Sequence, residues 1–288
     1  MKILIADKLS PKAITTLNKI GAEITSNPDL KAEELSDAIG SANVLIVRST
    51  KVYAETIEAG KSLELIIRAG AGVNNIDLEK ASSSGVYVAN CPGKNSDAVA
   101  ELALGHIIAC DRRIVDASLD LRSGNWKKKA YQNAAGLKGR TLGIIGLGSI
   151  GSALAKLAKG LDMNVIAWSR NLTPDKADAL DLVYCKSIAE VAANADAVSV
   201  HLAVTPDTKH LLNTKFFNKM KDGAIFVNTS RGEIVDTAAL RKAIDEKALR
   251  VGLDVFENEP GSGVAEFDQT DLADLITCTP HIAASTNQ

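Results

Sequence analysis

The sequence predicts an α/β protein of two doubly wound parallel-sheet domains. Short apolar runs alternate with amphipathic stretches through the first third of the chain, one long apolar segment without proline follows Asn90-Cys91-Pro92-Gly93, and the alternation restarts at Gly139 with a glycine-rich turn behind its first strand. Each crossover through a helix returns the chain to the same end of its sheet, so the strands are expected to run parallel.

In chain order, Lys2 to Ala6, Ala22 to Thr25, Val44 to Val47, Leu65 to Arg68 and Val86 to Ala89 read as strands, being short and rich in apolar or β-branched residues. Helices are expected to start near Ser10, Lys31, Tyr53 and Asp77 between them. Residues 1–95 then form a small domain of their own. From 96 to 121 the chain is largely apolar and free of proline, with Asn95 or Ser96 available as N-cap, and reads as one helix joining two domains. Strands resume at Thr141 to Ile145, Asn164 to Trp168, Ala197 to Val200, Ala224 to Asn228, Arg250 to Asp254 and Leu275 to Thr277, which assigns residues 96–288 to the second domain. The ligand of such a sheet lies beyond the carboxyl ends of its strands.

The run Thr141 to Gly151 breaks into Gly146-x-Gly148-x-x-Gly151 and then into a helical stretch, Ser152 to Gly160. Gly146 permits a tight turn, Gly148 lets backbone approach a pyrophosphate, Gly151 lets the helix sit close on the strand, and the helix N-terminus offers N–H groups to phosphates. With the strand Asn164 to Trp168 behind it, this reads as the βαβ unit of a Rossmann dinucleotide-binding domain, and the cofactor as NAD or NADP. The end of that second strand usually carries an acid that holds the ribose 2′-hydroxyl and repels a 2′-phosphate. Here stand Ser169 and Arg170. The guanidinium could hold a 2′-phosphate, stack on adenine or point into solvent.

Three later strand ends bring Arg231, Glu259 and His281, in Asn228-Thr229-Ser230-Arg231-Gly232, Asp254-Val255-Phe256-Glu257-Asn258-Glu259-Pro260 and Thr279-Pro280-His281. Oxidising a 2-hydroxy acid needs a cation to hold the carboxylate and polarise the developing carbonyl, a base for the hydroxyl proton, and a carboxylate to orient that base. Those three residues supply the set in that order.

Composition narrows the alternatives. Over 288 residues, 46% hydrophobic and 24% charged content is ordinary for a globular protein. A formal net charge of −2, with Lys127-Lys128-Lys129 as the densest cationic run, argues against a nucleic-acid or membrane-surface partner. No stretch reaches the roughly 18 apolar residues of a membrane span. Met1 to Ala6 leads into Asp7-Lys8 rather than a cleavage site, so a cytoplasmic protein is expected. Cys91, Cys110, Cys185 and Cys278 form no Cys-x-x-Cys pair and read as reduced packing residues. Among the other histidines, His106 reads as a packed or interface residue, His201 as a residue near the cofactor cleft, and His210 as an exposed loop residue. No metal-ligand spacing appears, so no metal is expected.

Together with Val47-Arg48-Ser49-Thr50-Lys51-Val52, Arg68-Ala69-Gly70-Ala71-Gly72-Val73-Asn74-Asn75-Ile76-Asp77 and Pro92-Gly93-Lys94-Asn95-Ser96, these motifs resemble the D-isomer-specific 2-hydroxyacid dehydrogenases, most closely the D-3-phosphoglycerate dehydrogenase branch, over essentially the whole chain. The resemblance implies that Arg231, Glu259 and His281 are catalytic, that Ser149 and Ile150 give N–H groups to the pyrophosphate, and that Asp254 holds the nicotinamide carboxamide. It places Leu202, Ala203, Thr208, Thr229 and Ser230 along the cofactor cleft. It further implies a flavodoxin-like first domain that closes over the second, and a homodimer joined through the interdomain helix region.

On that likeness the substrate is a small 2-hydroxy or 2-keto acid, 3-phosphoglycerate being oxidised to 3-phosphohydroxypyruvate in serine biosynthesis. Arg48 and Arg68 would meet its phosphate, unless they are surface ion-pair residues. Lys128 would contribute from a partner subunit, and the N–H groups of Ala71, Gly72 and Val73 would clamp the carboxylate in a loop opened by glycine. Two departures stand out. Ser169 replaces the usual acid, and the chain stops at Gln288, seven residues after His281, where the family continues into a helix returning to the first domain. Two other readings share the pattern: an NADPH-dependent glyoxylate or hydroxypyruvate reductase, and a nicotinamide-sensing protein like the corepressors of this fold.

Overall fold

The computed structural model describes residues 1–260 and 266–286, which divide into one compact unit of Met1–Asn95 and a second that starts at Ser96. The first unit carries β1 (Lys2–Ile5), α1 (Pro11–Asn18), β2 (Glu23–Ser26), α2 (Leu35–Ala38), β3 (Val44–Val47), α3 (Ala54–Ala59), β4 (Leu65–Arg68), α4 (Leu78–Ser83) and β5 (Tyr87–Asn90). Its strands form one parallel sheet in the order β2-β1-β3-β4-β5. Because side chains alternate along a strand, Ile3 and Ile5 enter one core layer and Leu4 and Ala6 the other, so β1 needs apolar residues at both parities. Ser10 and Asp77 cap α1 and α4 by accepting from Ala13 N and Lys80 N.

The second unit opens with α5 (Ser96–Arg112) and α6 (Ile114–Arg122). It continues through β6 (Thr141–Ile145), α7 (Ser149–Gly160), β7 (Asn164–Trp168), α8 (Pro174–Ala179), β8 (Val183–Tyr184), α9 (Ile188–Asn194) and β9 (Ala197–Val200). After α10 (Thr214–Phe217) come β10 (Ile225–Asn228), α11 (Thr237–Lys247), β11 (Arg250–Leu253), α12 (Thr270–Ala273) and β12 (Thr277–Cys278). The seven parallel strands run β12-β11-β10-β9-β6-β7-β8. The chain therefore moves outward from β6 to β8 and returns on the other side of β6 as β9. That reversal leaves a crevice beyond the carboxyl ends of β6 and β9. β9 and β10 are buried along their whole length, and Phe216, Phe217 and Phe226 stack edge-to-face behind β10 with centroids 5.3–6.4 Å apart.

Several expectations need correction. The predicted helix over 96–121 breaks at Arg113, which adopts a left-handed φ of 50°. Its guanidinium donates to Asp116 and lies 5.0 Å over the Tyr131 ring, while α6 has no buried residue to hold it on the axis of α5. Neither Asn95 Oδ1 nor Ser96 Oγ has a hydrogen-bond partner, so neither caps α5 through its side chain. β8 is too short to leave a periodic signal, and the last strand falls at Thr277–Cys278 rather than from Leu275. Burial pushes the Cys110 and Cys185 thiols up to about 11, as suits packing residues, whereas Cys278 on the edge strand is exposed and Cys91 half-buried.

The anchor of α5 is a buried carboxylate. Asp111 accepts from Arg140 Nη1 and from the Gly136 N–H, each at 3.0 Å, with its side chain only 1% exposed. Asp111→Ala leaves both donors without that acceptor and is expected to cost about 3 kcal/mol of stability. Urea unfolding checks this; an unchanged midpoint would contradict the role given to the pair.

Candidate active site

The turn after β6 is built by steric exclusion. Gly146 has a φ of +98°, and a Cβ there would lie 2.4 Å from the His201 carbonyl oxygen, where β9 meets β6. At Gly151 a Cβ would meet the Gly146 carbonyl oxygen at 2.3 Å, which is how closely α7 sits on the turn. Gly148 faces open space. The helix starts at Ser149 rather than Ser152 and has no side-chain cap, so its first-turn N–H groups, those of Ser149 and Ile150 among them, stay available to an anion. Past β7, Ser169 is half-buried and Arg170 exposed, with no hydrogen bond or ion pair to Arg170 among the described residues.

The crevice wall continues over β9 and β10. Asn228 pairs in register with Val200, so Thr229 and His201 leave the sheet as neighbours. Thr229 Oγ1 and His201 Nδ1 are buried with no hydrogen-bond partner, while His201 Nε2 lies 3.0 Å from Ser199 Oγ. Burial lowers the His201 pKa to about 4, so its ring is neutral. Two orphaned polar atoms beside an uncapped helix N-terminus suit a polar, anionic ligand such as a dinucleotide. Leu202 is half-buried and Ala203 exposed at the rim, where Thr208 Oγ1 donates to the Ala203 carbonyl at 2.7 Å and accepts from Thr205 N–H. Ser230 Oγ donates to Asn228 Oδ1 at 2.8 Å, and Asn228 Nδ2 donates to the Arg231 carbonyl, fixing the segment that carries Arg231.

Arg231, Glu259 and His281 come together past β10, β11 and β12. Gly232 makes this possible. A Cβ there would lie 2.0 Å from the Phe256 carbonyl, so only glycine lets the end of β10 press on the segment after β11. His281 Nδ1 donates to Glu259 Oε2 at 2.7 Å, and Glu259 Oε1 accepts the Phe256 N–H at 2.9 Å. Arg231 Nη1 donates to the Ser230 carbonyl at 2.6 Å. The hydrogen bond to Glu259 raises the His281 pKa, against burial and the Arg231 charge, which lower it. Burial alone would push the Glu259 carboxyl up, but the bonds from His281 and Phe256 and the nearby positive charges hold it below the usual range. Glu257, two residues earlier, serves a different histidine: His210 Nε2 lies 2.5 Å from its Oε1 and Thr237 donates to its Oε2. His210 is exposed as expected, yet tied down.

Asp254 departs from its expected role. It is fully buried; Oδ1 accepts from Thr279 Oγ1 at 2.6 Å and Ile282 N–H at 2.9 Å, and Oδ2 from Ala283 N–H at 2.9 Å. Its oxygens are taken up by the strand-end segment that carries His281, not turned outward to a carboxamide. His281 N–H also donates to the Asp254 carbonyl at 2.8 Å, and His281 itself has a left-handed φ of 52°. His106 on α5, 2% exposed, reaches the same network, Nε2 to Thr279 Oγ1 at 3.1 Å. Thr279 and Asn228 gave no separate signal, since a short polar residue at a strand end resembles any loop residue.

In the first unit, Arg68 Nε donates to the Arg48 carbonyl at 3.0 Å and Nη1 to the Gly72 carbonyl at 3.2 Å. Two of its N–H groups are thus held by backbone carbonyls. Arg48 is exposed, its backbone N–H held by Asp7, and its guanidinium has no partner among the described residues. Asn90 Nδ2 holds the Ala71 carbonyl, and no described residue accepts from the N–H groups of Ala71, Gly72 and Val73. Neither Gly70 nor Gly72 has a positive φ. At Gly70 a Cβ would lie 2.5 Å from the Arg68 guanidinium, the end of a flexible side chain that a small swing would clear. Lys128 is exposed in the 3-10 turn Lys128–Tyr131. Among the described residues no group could hold a metal ion, and no helix is long and apolar enough to cross a membrane.

Comparison with known proteins gives concordant matches. Residues 104–283 match the family described as D-isomer specific 2-hydroxyacid dehydrogenase, NAD binding domain. A hydroxypyruvate reductase of Thermotoga maritima is 41% identical over 99% of this chain and 92% of its own length. A D-3-phosphoglycerate dehydrogenase of Archaeoglobus fulgidus is 39% identical over the whole chain, which spans only 54% of that protein. Among solved structures, a glyoxylate reductase from Paecilomyes thermophila superposes with a TM-score of 0.85 at 29% identity, covering 100% of this chain and 90% of the other.

The His281–Glu259 pair carries a titration prediction. Its contribution to stability is complete below the unfolded histidine pKa and is lost as pH rises through the raised folded pKa; on the acid side it is lost as pH falls through the lowered pKa of Glu259. NMR titration should place the His281 midpoint above the ordinary value of about 6.5. Glu259→Gln should bring it down, and a midpoint that ignores the substitution would contradict the pairing.

Proposed function

The chain belongs to the D-isomer specific 2-hydroxyacid dehydrogenase family, NAD(P)-dependent oxidoreductases, and from that premise we propose that it interconverts a small 2-keto acid of the hydroxypyruvate class and its 2-hydroxy acid. The observation that carries the chemistry is the 2.7 Å bond from His281 Nδ1 to Glu259 beside Arg231. With Nδ1 held, Nε2 of the same ring is the atom that gives a proton to the keto oxygen in reduction and takes it back in oxidation. Glu259 stabilises the imidazolium while it carries that proton. Arg231 offers a planar fork to the substrate carboxylate and the reacting oxygen. Ser149, Ile150, Thr229 and His201 are the residues fitted to hold the dinucleotide, which supplies or accepts the hydride when bound.

The unphosphorylated substrate draws support from the hydroxypyruvate reductase that is 41% identical over 99% of this chain. The exposed Arg48 guanidinium favours a second reading, the phosphorylated three-carbon acid of the phosphoglycerate branch. The N–H groups of Ala71, Gly72 and Val73, without an acceptor among the described residues, suit a carboxylate in either case. A homodimer, with Lys128 reaching a partner's substrate, draws support from exposed Ile114, Leu119, Leu121 and Trp126 on and after α6, and sedimentation at the mass of one chain would contradict it.

An absorbance screen of NADH and NADPH oxidation with hydroxypyruvate, glyoxylate and 3-phosphohydroxypyruvate tests the assignment. Hydroxypyruvate should turn over with the highest kcat/KM, and Arg231→Lys should lower it by about two orders of magnitude through loss of the fork. Preference for the phosphorylated acid, abolished selectively by Arg48→Ala, would favour the second reading. No turnover of any 2-keto acid would reject both.

For the cofactor, we propose that NADPH is accepted, because Ser169 cannot repel a 2′-phosphate and Arg170 has no competing partner among the described residues. Ser169→Asp should shift the preference to NADH, and Arg170→Ala should raise the KM for NADPH alone. Equal effects of Arg170→Ala on both cofactors would place the guanidinium away from the phosphate.

A further inference from the structure

We propose that His106 is a positioning residue for His281, acting through a one-directional hydrogen-bond chain from His106 Nε2–H to Thr279 Oγ1 to Asp254; the catalytic part of this role rests on the 2-hydroxyacid reading above. Proton counting fixes the direction. Thr279 Oγ1 lies 2.6 Å from Asp254 Oδ1 and 3.1 Å from His106 Nε2. A hydroxyl has one proton and a carboxylate has none to give, so the Thr279 proton goes to Asp254 and Thr279 accepts from His106. Burial lowers the His106 pKa, with the Asp254 charge opposing, so the neutral ring carries its proton on Nε2 and leaves Nδ1 bare.

The ring is held by packing. His106 is 2% exposed, and a Cβ on Gly252 would lie 2.8 Å from the His106 Cβ, so β11 offers a bare backbone where the imidazole sits. At the other end of the chain, Asp254 also accepts the Ile282 and Ala283 N–H groups, and its carbonyl accepts the His281 N–H. Thr279 and Ala283 bracket His281 in sequence, so both sides of the acid/base are fixed to one buried carboxylate whose third donor is oriented by His106. Around the His281 ring stand Glu259, Arg231 and Asp254.

Nitrogen NMR of the full chain should find His106 protonated at Nε2 and bare at Nδ1. His106→Leu should lower kcat for the 2-keto acid about threefold to tenfold, the range set by one net hydrogen bond, leaving the cofactor KM within twofold. His106→Gln, which returns an N–H donor, should recover most of that loss. Thr279→Val should lower kcat at least as much, and adding His106→Leu to it should change nothing further. Protonation at Nδ1 instead, wild-type kcat in His106→Leu, or additive losses in the double variant would each overturn the proposal. Should no substrate turn over, the functional reading fails separately. The tautomer then decides the chain's direction, and the His281 midpoint decides the positioning role: His106→Leu lowers it if the role is real and leaves it unmoved if not.

Discussion

The active end of the second unit depends on one buried carboxylate. Asp254 closes β11, is fully shielded from solvent, and accepts three hydrogen bonds from the segment that follows β12. A buried carboxylate without donors is costly, so the fold must bring donors to it, and the available ones are Thr279, Ile282 and Ala283. The consequence is geometric. His281 lies inside that run, in a left-handed conformation that an unrestrained histidine avoids, and its N–H is fixed on the Asp254 carbonyl. His281 is thus placed by its neighbours' backbone, and its ring is left to meet Glu259.

Close backbone approach does the rest of the placing. Gly146, Gly151 and Gly232 each stand where a Cβ would overlap a carbonyl at 2.0–2.4 Å. The first two bring α7 down on the switch point between β6 and β9, where the helix N-terminus keeps its first-turn N–H groups open. The third brings Arg231 beside the segment that leads to Glu259. Steric exclusion by the backbone and electrostatic capture by Asp254 therefore act on different strands, all at the carboxyl end of the sheet.

What could be seen in the sequence follows from this division. The glycine turn was legible because Gly146 and Gly151 meet local steric needs at fixed spacing, and the strand-end positions of Arg231, Glu259 and His281, which the fold brings together, were legible too. The pairing of Glu259 rather than Glu257 with His281 agrees with that reading, since Glu257 is taken by His210. The role of Asp254 was not legible, because an acid at a strand end looks the same whether it faces a ligand or the core. His106 was recognised as packed, but its link to Thr279 spans 173 residues and leaves no local pattern. That Arg68 bonds the carbonyls of Arg48 and Gly72 was not legible either, since a backbone acceptor leaves no mark in the sequence. The break at Arg113 was hidden because the apolar pattern runs on through it.

Amide hydrogen exchange at Ile282 and Ala283 tests the central claim most directly. If Asp254 holds this segment, both amides are protected in the native protein and exchange about tenfold faster or more in Asp254→Asn, whose amide nitrogen must oppose at least one of the donors. Equal exchange in the two proteins would mean that the segment, and His281 with it, is held by something else.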